Sequence, residues 1–243
     1  MMKKTIVITG ASRGIGKAIA IELAGKGTNI VINCVNNVDK LNEVKSIIEE
    51  KGSVCETFIG DMGNYSDVQK MFDMCLQRFG QVDVLINNAG ISVVGLFQDM
   101  GENEWHRICN TNIDSVFNCC HFAVKDMMKR HCGKIINISS VWGLYGASCE
   151  VAYSATKGAV NSFTKALAKE LAPSGIQVNA VACGAIDTEM NGHLSDDDKA
   201  SLAEEIPAGR FGSPQEVAEL VKSLAGMNSY LTGQIITLDG GWI

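Results

Sequence analysis

Tyr153 and Lys157 are a pair of residues whose types and spacing suggest catalytic chemistry. On a helix, residues four apart lie on one face, so the phenol and the ammonium would be neighbours. A phenol has an ordinary pKa of about 10, and a nearby ammonium lowers it by stabilising the phenolate. Such a phenol can protonate a carbonyl oxygen as it is reduced. Because this spacing also arises by chance, the pair needs support from other residues.

Ser140 provides that support, since it follows the apolar run 134–139 and precedes Tyr153 by thirteen residues. A loop of this length can return the start of a helix to the carboxyl end of the strand, where open α/β sheets bind ligands. A serine hydroxyl there can hydrogen-bond to the same carbonyl oxygen. The three residues together favour oxidoreduction between a carbonyl and an alcohol.

The run TGASRGIG at 9–16 lies between the first apolar run and the first amphipathic stretch. Glycines allow a tight turn there and let a pyrophosphate approach the helix N-terminus, whose free N–H groups and dipole favour an anion. An ordinary glycine-rich turn is the alternative. Three glycines at the first strand–helix junction favour a dinucleotide site.

The end of the second strand bears on the choice of cofactor. An acid there would bind the ribose 2′-hydroxyl of NAD and repel the 2′-phosphate of NADP. The run 31–37 contains no acid, and the first one is Asp39. Arg13 adds a cation that can pair with a phosphate, unless it is simply solvent-exposed. The sequence favours NADP(H) and leaves NAD(H) open.

Short apolar runs alternate with amphipathic stretches along the chain. The predicted strands are 4–9, 29–35, 54–59, 83–87, 134–139, 176–182 and 234–238, and the predicted helices are 15–26, 38–51, 65–79, 102–131, 153–172 and 214–226. Strands that are apolar almost without alternation are covered on both faces. We therefore predict an α/β Rossmann fold over residues 1–243, with a single domain and a doubly wound seven-stranded parallel sheet between helices.

The stretch 183–213 lacks a paired strand and helix and contains several glycines and prolines. Within it, Ser195 followed by three aspartates predicts an N-cap and a short helix that ends near Glu205. Long insertions in compact domains are usually lids or disordered segments. The amphipathic pattern favours a substrate lid.

Composition restricts the classes of partner. A net charge of −6 argues against nucleic acid, which requires a basic face. No apolar run is long enough for a membrane span or a signal peptide, so we expect a cytoplasmic protein. The nine cysteines show no CxxC spacing and are expected to be reduced. The histidines, His193 among them, show no metal-like spacing, and we predict no metal site.

The chain resembles the short-chain dehydrogenase/reductase family over essentially its whole length. The matching motifs are TGASRGIG (9–16), Asp61, NNAG (87–90), Asn112, Ser140, Tyr153 with Lys157, and the run 183–188. The resemblance implies that Tyr153 is the general acid/base, that Ser140 orients the carbonyl and that Lys157 lowers the tyrosine pKa and holds the nicotinamide ribose. Asn112 would support a water-linked proton relay from Lys157.

The resemblance also implies a set of cofactor-binding residues. Asp61 and Met62 would flank the adenine, Asn88 the adenosine ribose, and Ile186 and Thr188 the carboxamide. The full implied set is Gly10, Ser12, Arg13, Gly14, Ile15, Gly16, Asp61, Met62, Asn88, Ala89, Gly90, Tyr153, Lys157, Gly184, Ile186 and Thr188.

Within the family, the runs 206–214 and 233–241 are most similar to beta-ketoacyl-[acyl-carrier-protein] reductases. That likeness implies NADPH-dependent reduction of a beta-ketoacyl thioester of acyl carrier protein or coenzyme A, in fatty acid biosynthesis. Because the same runs occur in other members, a dehydrogenase of a sugar, polyol or steroid alcohol remains the alternative. A nicotinamide-sensing protein without catalysis is disfavoured by the intact catalytic set.

Two residues of the chain depart from the pattern of the family that it resembles. Cys183 replaces a usual proline, which predicts a looser loop. Ser174 replaces an arginine of the carrier-docking patch, which leaves Lys129, Arg130 and His131 as candidate cations for acyl carrier protein.

The resemblance also implies a homotetramer packed through helices 102–131 and 153–172, whose extra apolar residues include Val116, Phe117 and Phe122. Tyr145 either lines the substrate pocket or covers the core.

Overall fold

The computed structural model describes residues 3–192, 194–226 and 230–243. The strands are β1 (Lys4–Ile8), β2 (Thr28–Cys34), β3 (Val54–Ile59), β4 (Val84–Asn87), β5 (Gly133–Ser140), β6 (Ile176–Cys183) and β7 (Ile235–Leu238). The α-helices are α1 (Gly14–Leu23), α2 (Val38–Glu50), α3 (Tyr65–Phe79), α4 (Glu102–Cys109), α5 (Ser115–Arg130), α6 (Trp142–Tyr145), α7 (Val151–Leu171), α8 (Asp196–Glu205) and α9 (Pro214–Gly226). A π-helical turn covers Asn110–Asp114, and 3₁₀ turns cover Phe97–Asp99, Ala172–Ser174 and Glu189–Asn191.

The strands of the described chain form one parallel sheet in the order β3-β2-β1-β4-β5-β6-β7. The predicted doubly wound, seven-stranded fold is confirmed. The strand order reverses between β1 and β4, and open α/β sheets bind ligands outside the strand ends at such a point. The glycine run 9–16 follows β1, and the NNAG run begins at the end of β4, so both lie at this reversal.

Helices cover both faces of the sheet because successive strand residues point to opposite sides. In β1, Ile6 and Ile8 pack with residues of α1, α2 and α9, whereas Val7 packs with α3, α5 and α7. This alternation explains why the central strands are apolar at every position. The two apolar clusters hold the strand ends in fixed register.

The predicted helix 102–131 is interrupted, which periodicity did not reveal. The π-helical turn Asn110–Asp114 separates α4 from α5. Such turns add one residue to the helical repeat and often occur at functional sites. The interruption could not be read from the sequence because the amphipathic pattern continues through it.

The region 183–213 contains the predicted short helix. Ser195 caps α8, with its Oγ accepting from the Asp198 backbone N–H at 3.1 Å, as the sequence predicted. A bridge between Ile186 and Gly212 ties the two ends of the region together. His193 lies outside the described residues.

All nine cysteines are free, as expected. In the described ranges, no group of three or more His, Cys, Asp or Glu residues is arranged to hold a metal ion. No described helix is long and apolar enough to cross a membrane.

Candidate active site

The predicted catalytic side chains meet at the carboxyl end of β5. Tyr153 and Lys157 lie one turn apart on α7, and the Lys157 Nζ is 5.6 Å from the centroid of the Tyr153 ring. The lysine is buried and donates a hydrogen bond to the Ile138 carbonyl at 2.9 Å. Ser140 ends β5 and is paired in register with Cys183 of β6. The carboxyl end of β5 therefore positions Ser140 and, through the Ile138 carbonyl, Lys157. Helix α7 places the Tyr153 phenol beside them.

The pKa of Tyr153 differs from the expectation. Burial raises it above its ordinary value, the hydrogen bond with Ser140 lowers it, and the nearby Cys183 and Glu150 raise it. Burial also lowers the pKa of Lys157 to about 8. Because desolvation disfavours the charged form of both groups, the lysine does not bring the phenol down toward neutral pH. The net effect of the surrounding protein groups is to raise the pKa of Tyr153, so the predicted lowering of this pKa by Lys157 is not observed.

Asn112 lies in the π-helical turn and is almost completely buried. Its Nδ2 donates to the Ile91 carbonyl at 2.9 Å and to the Thr156 Oγ1 at 3.1 Å, and its Oδ1 accepts from the Ile91 N–H at 2.8 Å. The side-chain amide thus holds the chain after Gly90 against α7. Any contact of Asn112 with a relay water would then come from its backbone.

Thr9 connects the glycine run to the NNAG run, a role that the sequence did not reveal. Its Oγ1 accepts from the backbone N–H groups of Asn88 and Ala89, both at 3.0 Å. The Asn88 Nδ2 donates to the carbonyls of Thr9 and Gly10 at 2.9 and 3.0 Å. These bonds fix the spacing between the ends of β1 and β4, so Asn88 positions the glycine run rather than standing free in the cleft.

Two glycines of this cleft, Gly10 and Gly16, are required by close approach. A Cβ on Gly16 would lie 2.3 Å from the Gly10 carbonyl oxygen and 2.4 Å from the Asn88 Nδ2. Gly10 has a φ of +63°, and a Cβ there would lie 2.9 Å from the Ala89 Cα. A Cβ on Gly90 would approach the Lys157 Nζ at 3.4 Å. The cleft is a backbone-lined cradle next to the lysine, which fits a dinucleotide.

Ser12 and Ile15 of the glycine run face inward. Ser12 is buried, and Ile15 packs against the apolar cluster beneath α1. Asn33, at the end of β2, is also buried and holds the run from below, since its Oδ1 accepts from the Gly10 N–H at 3.4 Å. The end of β2 therefore carries no acid, and the Asn33 side-chain amide there supports the glycine run.

Arg13 is exposed at the N-cap of α1 but is not free. Its Nη1 contacts the Glu189 carboxylate at 3.1 Å, and the Lys40 Nζ contacts the other oxygen of that carboxylate at 2.8 Å. Arg13 is therefore exposed to solvent but also ion-paired, and its pairing with a cofactor phosphate stays a prediction. Lys40 and Glu189 were missed by sequence reasoning, because 149 residues separate them.

Asp61 and Met62 are oriented by the protein itself. The Asp61 carboxylate accepts from the Gly63 N–H at 2.8 Å and from the Asn110 Nδ2 at 3.3 Å. The Met62 side chain is buried in the apolar cluster with α3 and α5. A contact of Met62 with adenine would therefore involve its backbone.

The run after β6 is less loose than the loss of proline predicts. Cys183 remains in the sheet, where its carbonyl accepts from the Val141 N–H at 3.0 Å. A Cβ on Gly184 would collide with Asp239, at 2.7 Å from its Cβ, so this glycine is required by packing against the chain after β7. Ile186 is buried, and Thr188 lines a cavity together with Gly14. The run consequently closes over the glycine loop.

Exposed apolar side chains lie on loops that are tied to the start of the catalytic helix α7. The Gly95 N–H donates to the Cys149 carbonyl at 2.8 Å, and the Ser92 hydroxyl donates to the Glu150 carboxylate. These bonds join the loop after β4 to the loop that precedes Tyr153. The joined loops and α6 carry the exposed residues Val94, Leu96, Phe97, Leu144 and Tyr145. Tyr145 is 63% exposed, which excludes the alternative that it covers the core.

Comparison with known proteins agrees with this geometry. A model of the short chain dehydrogenase family matches residues 4–199. The chain is 41% identical to a 3-oxoacyl-[acyl-carrier-protein] reductase FabG of Staphylococcus epidermidis, covering 99% of each chain. It is 40% identical to the protein of that name from Staphylococcus aureus (99% of this chain, 98% of the relative) and 37% identical to that from Chlamydia trachomatis, with the same coverage. The chain belongs to the short-chain dehydrogenase family.

Proposed function

We propose that this chain reduces a beta-ketoacyl thioester to the beta-hydroxyacyl thioester with NADPH, as a step of fatty acid biosynthesis. The observation that carries the proposal is the meeting of Ser140, Tyr153 and Lys157 beside a glycine-lined cradle. Relatives that match nearly the whole chain are named 3-oxoacyl-[acyl-carrier-protein] reductases, which supports the substrate class.

The cofactor would lie across the strand reversal. The backbone of Gly10, Gly14 and Gly16 would face its pyrophosphate at the N-terminus of α1, and Arg13 would face a 2′-phosphate. Asp61 and Met62 would contact the adenine, Ala89 and Gly90 would line the cleft, and Ile186 and Thr188 would contact the carboxamide. When bound, NADPH supplies a hydride to the carbonyl carbon.

The residues of the chain would manage the proton. Tyr153 would donate it to the carbonyl oxygen as that oxygen becomes an alkoxide, and Ser140 would hold the same oxygen by a hydrogen bond. Lys157 would then return a proton toward the phenolate. A pKa of about 8 suits Lys157 to this role, since both of its protonation states are populated near that pH. Asn112 would hold a relay water through its backbone.

The substrate mouth favours an acyl chain over a polyol. The residues Val94, Leu96 and Phe97 are more than half exposed and lie on a loop tied to the one that precedes Tyr153. Exposed apolar patches commonly mark binding surfaces, and an acyl chain would cover this one. A sugar would leave it in contact with water.

The two residues of the predicted carrier-protein patch, Lys129 and Arg130, lie at the opposite end of β5 from Ser140 within one chain. These residues end α5 just before β5 begins, whereas Ser140 lies at the other end of that strand. At about 3.3 Å per residue, the two ends are about 23 Å apart. Arg130 is also held in ion pairs with Asp83 and Asp126, so it does not offer a free charge. Lys129 is exposed, so within the predicted patch it is the residue whose charge is available to acyl carrier protein.

Assembly and location are further parts of the proposal. We infer a cytoplasmic homotetramer packed through the α4–α5 and α7 regions. Phe117 of α5 is half-exposed, which supports a contact there. Val116 is buried in the chain's own core, and Phe122 packs against Tyr65 and Phe72 of the same chain, so Phe117 is the more available of the three.

The test is a comparison of substrates. NADPH oxidation should be fast with acetoacetyl thioesters of coenzyme A and of acyl carrier protein, with a modest advantage for the carrier. A panel of sugar, polyol and steroid alcohols with NADP⁺ should react slowly. Reaction with the alcohol panel alone would instead establish the alternative dehydrogenase activity.

A further inference from the structure

One carboxylate, that of Glu189, joins two cations from distant parts of the chain. Its two oxygens are engaged separately, by the Arg13 Nη1 at 3.1 Å and by the Lys40 Nζ at 2.8 Å. Both cationic nitrogens therefore converge on one small anionic group. A phosphate, which also presents several oxygens, can bridge such a pair in the same way.

The two cations lie where the adenosine ribose of a dinucleotide is expected. Arg13 is the N-cap of α1 and belongs to the glycine run, and Lys40 lies in the first turn of α2, just after β2. In this type of fold, the end of the second strand faces the adenosine ribose of the cofactor. Glu189, in contrast, comes from the run after β6, next to Thr188, and both residues line one cavity with Gly14. An acidic group thus reaches the ribose side from the opposite half of the sheet.

Exposure makes the Glu189 contacts replaceable. The side chains of Arg13, Lys40 and Glu189 are 58%, 44% and 53% exposed. Ion pairs of such exposure contribute little to stability. The two cations lower the pKa of Glu189, so the carboxylate stays charged at neutral pH and its attraction persists until another anion replaces it.

We propose that Glu189 occupies the phosphate-recognition position formed by Arg13 and Lys40, and that the 2′-phosphate of NADP(H) competes with it for these two cations. This inference rests on the proposed function, which places NADP(H) in the cleft. Lys40 is then a second phosphate ligand. Glu189 reduces the preference for NADPH over NADH, because binding of the phosphate requires release of the carboxylate.

The experiment measures dissociation constants of NADPH, NADH and adenosine 2′,5′-bisphosphate by calorimetry, with no turnover. Glu189→Gln should bind NADPH and the bisphosphate about threefold to tenfold more tightly and leave NADH unchanged. Lys40→Met should weaken both phosphate-bearing ligands about tenfold, again without effect on NADH. In the Lys40→Met background, Glu189→Gln should have a smaller effect, because one partner of the carboxylate is gone.

Glu22→Gln is the matched control. It removes the same charge from an ion pair of the same type, with Lys222 at 2.7 Å, and lies nine residues beyond Arg13 on α1. That spacing is about 14 Å along the helix, beyond the screening length at physiological salt. The control should leave all three affinities unchanged.

The outcomes separate this inference from the proposed function. If the wild-type chain binds NADPH but Glu189→Gln behaves like Glu22→Gln, or weakens both nucleotides equally, the competition is refuted while the function stands. If the wild-type chain binds neither nucleotide, the proposed function fails and the inference fails with it.

Discussion

Replacing Arg130 by methionine is expected to lower the free energy of unfolding by about 2–4 kcal/mol. The guanidinium contacts the Asp83 Oδ1 at 2.9 Å and the Asp126 Oδ2 at 2.9 Å, and it donates to the Val82 carbonyl at 2.6 Å. Methionine retains most of the side-chain length but removes every donor. Two carboxylates would then be left without their cation.

The magnitude follows from burial. Arg130 is 25% exposed, and Asp83 and Asp126 are 15% and 14% exposed. Breaking a fully buried pair costs about 3–5 kcal/mol, whereas an exposed pair is worth at most about 1 kcal/mol. The Arg130 site is closer to fully buried than to exposed, so the expected loss of stability is closer to that of a fully buried pair. Both acids also accept backbone N–H groups, Asp83 from Thr5 and Asp126 from Val82, so the arginine supports the start of two strands.

The assay is urea unfolding of the wild-type chain, Arg130→Met and Lys129→Met, the last being a neighbouring exposed cation. Lys129→Met should change stability by less than about 0.5 kcal/mol. The melting temperature of Arg130→Met should fall by at least about 4 °C. A loss below about 1 kcal/mol, equal to that of Lys129→Met, would refute the structural role and restore Arg130 as a candidate docking residue.

Two further predictions concern the cleft. Gly16→Ala should weaken nucleotide binding at least about tenfold in calorimetry, because the added Cβ would lie 2.3 Å from the Gly10 carbonyl oxygen. The control is Gly25→Ala, whose added Cβ meets nothing within 4 Å and should leave the affinity unchanged. Equal affinities of the two variants would contradict the close approach. Because burial lowers the pKa of Lys157 from 10.5 to about 8, the unfolded chain binds more protons between these values. Wild-type stability relative to Lys157→Met should therefore rise by about 3 kcal/mol from pH 8 to 10.5 in urea unfolding, and a flat difference would argue against the shifted pKa.

Much of the fold could be predicted because local patterns determine it. The observed strands agree with the predicted runs within about one residue, and α3 and α9 have the predicted bounds. The strands β1, β2, β4, β5 and β6 are buried on both faces, so their apolar runs are continuous and easy to recognise. The π-helical turn was missed because it shifts hydrogen bonds without changing the apolar pattern.

The site was predictable where residue type and chain position carry the chemistry. Tyr153, Lys157 and Ser140 converge as expected from their positions on α7 and at the end of β5. The contact of Glu189 with Lys40 was not predictable, because it depends on where the run after β6 lies over the sheet. The raised pKa of Tyr153 was also missed, since spacing carries no information on desolvation.

The most direct test of the account is the Tyr153→Phe variant, assayed for reduction of acetoacetyl-coenzyme A and for NADPH binding. Phenylalanine preserves the ring and its packing but removes the hydroxyl that donates the proton. Turnover should fall by about 10²–10⁴-fold, as is typical of the loss of a general acid, while the dissociation constant of NADPH stays within about twofold. Turnover near the wild-type rate would contradict the assignment of Tyr153 as the proton donor.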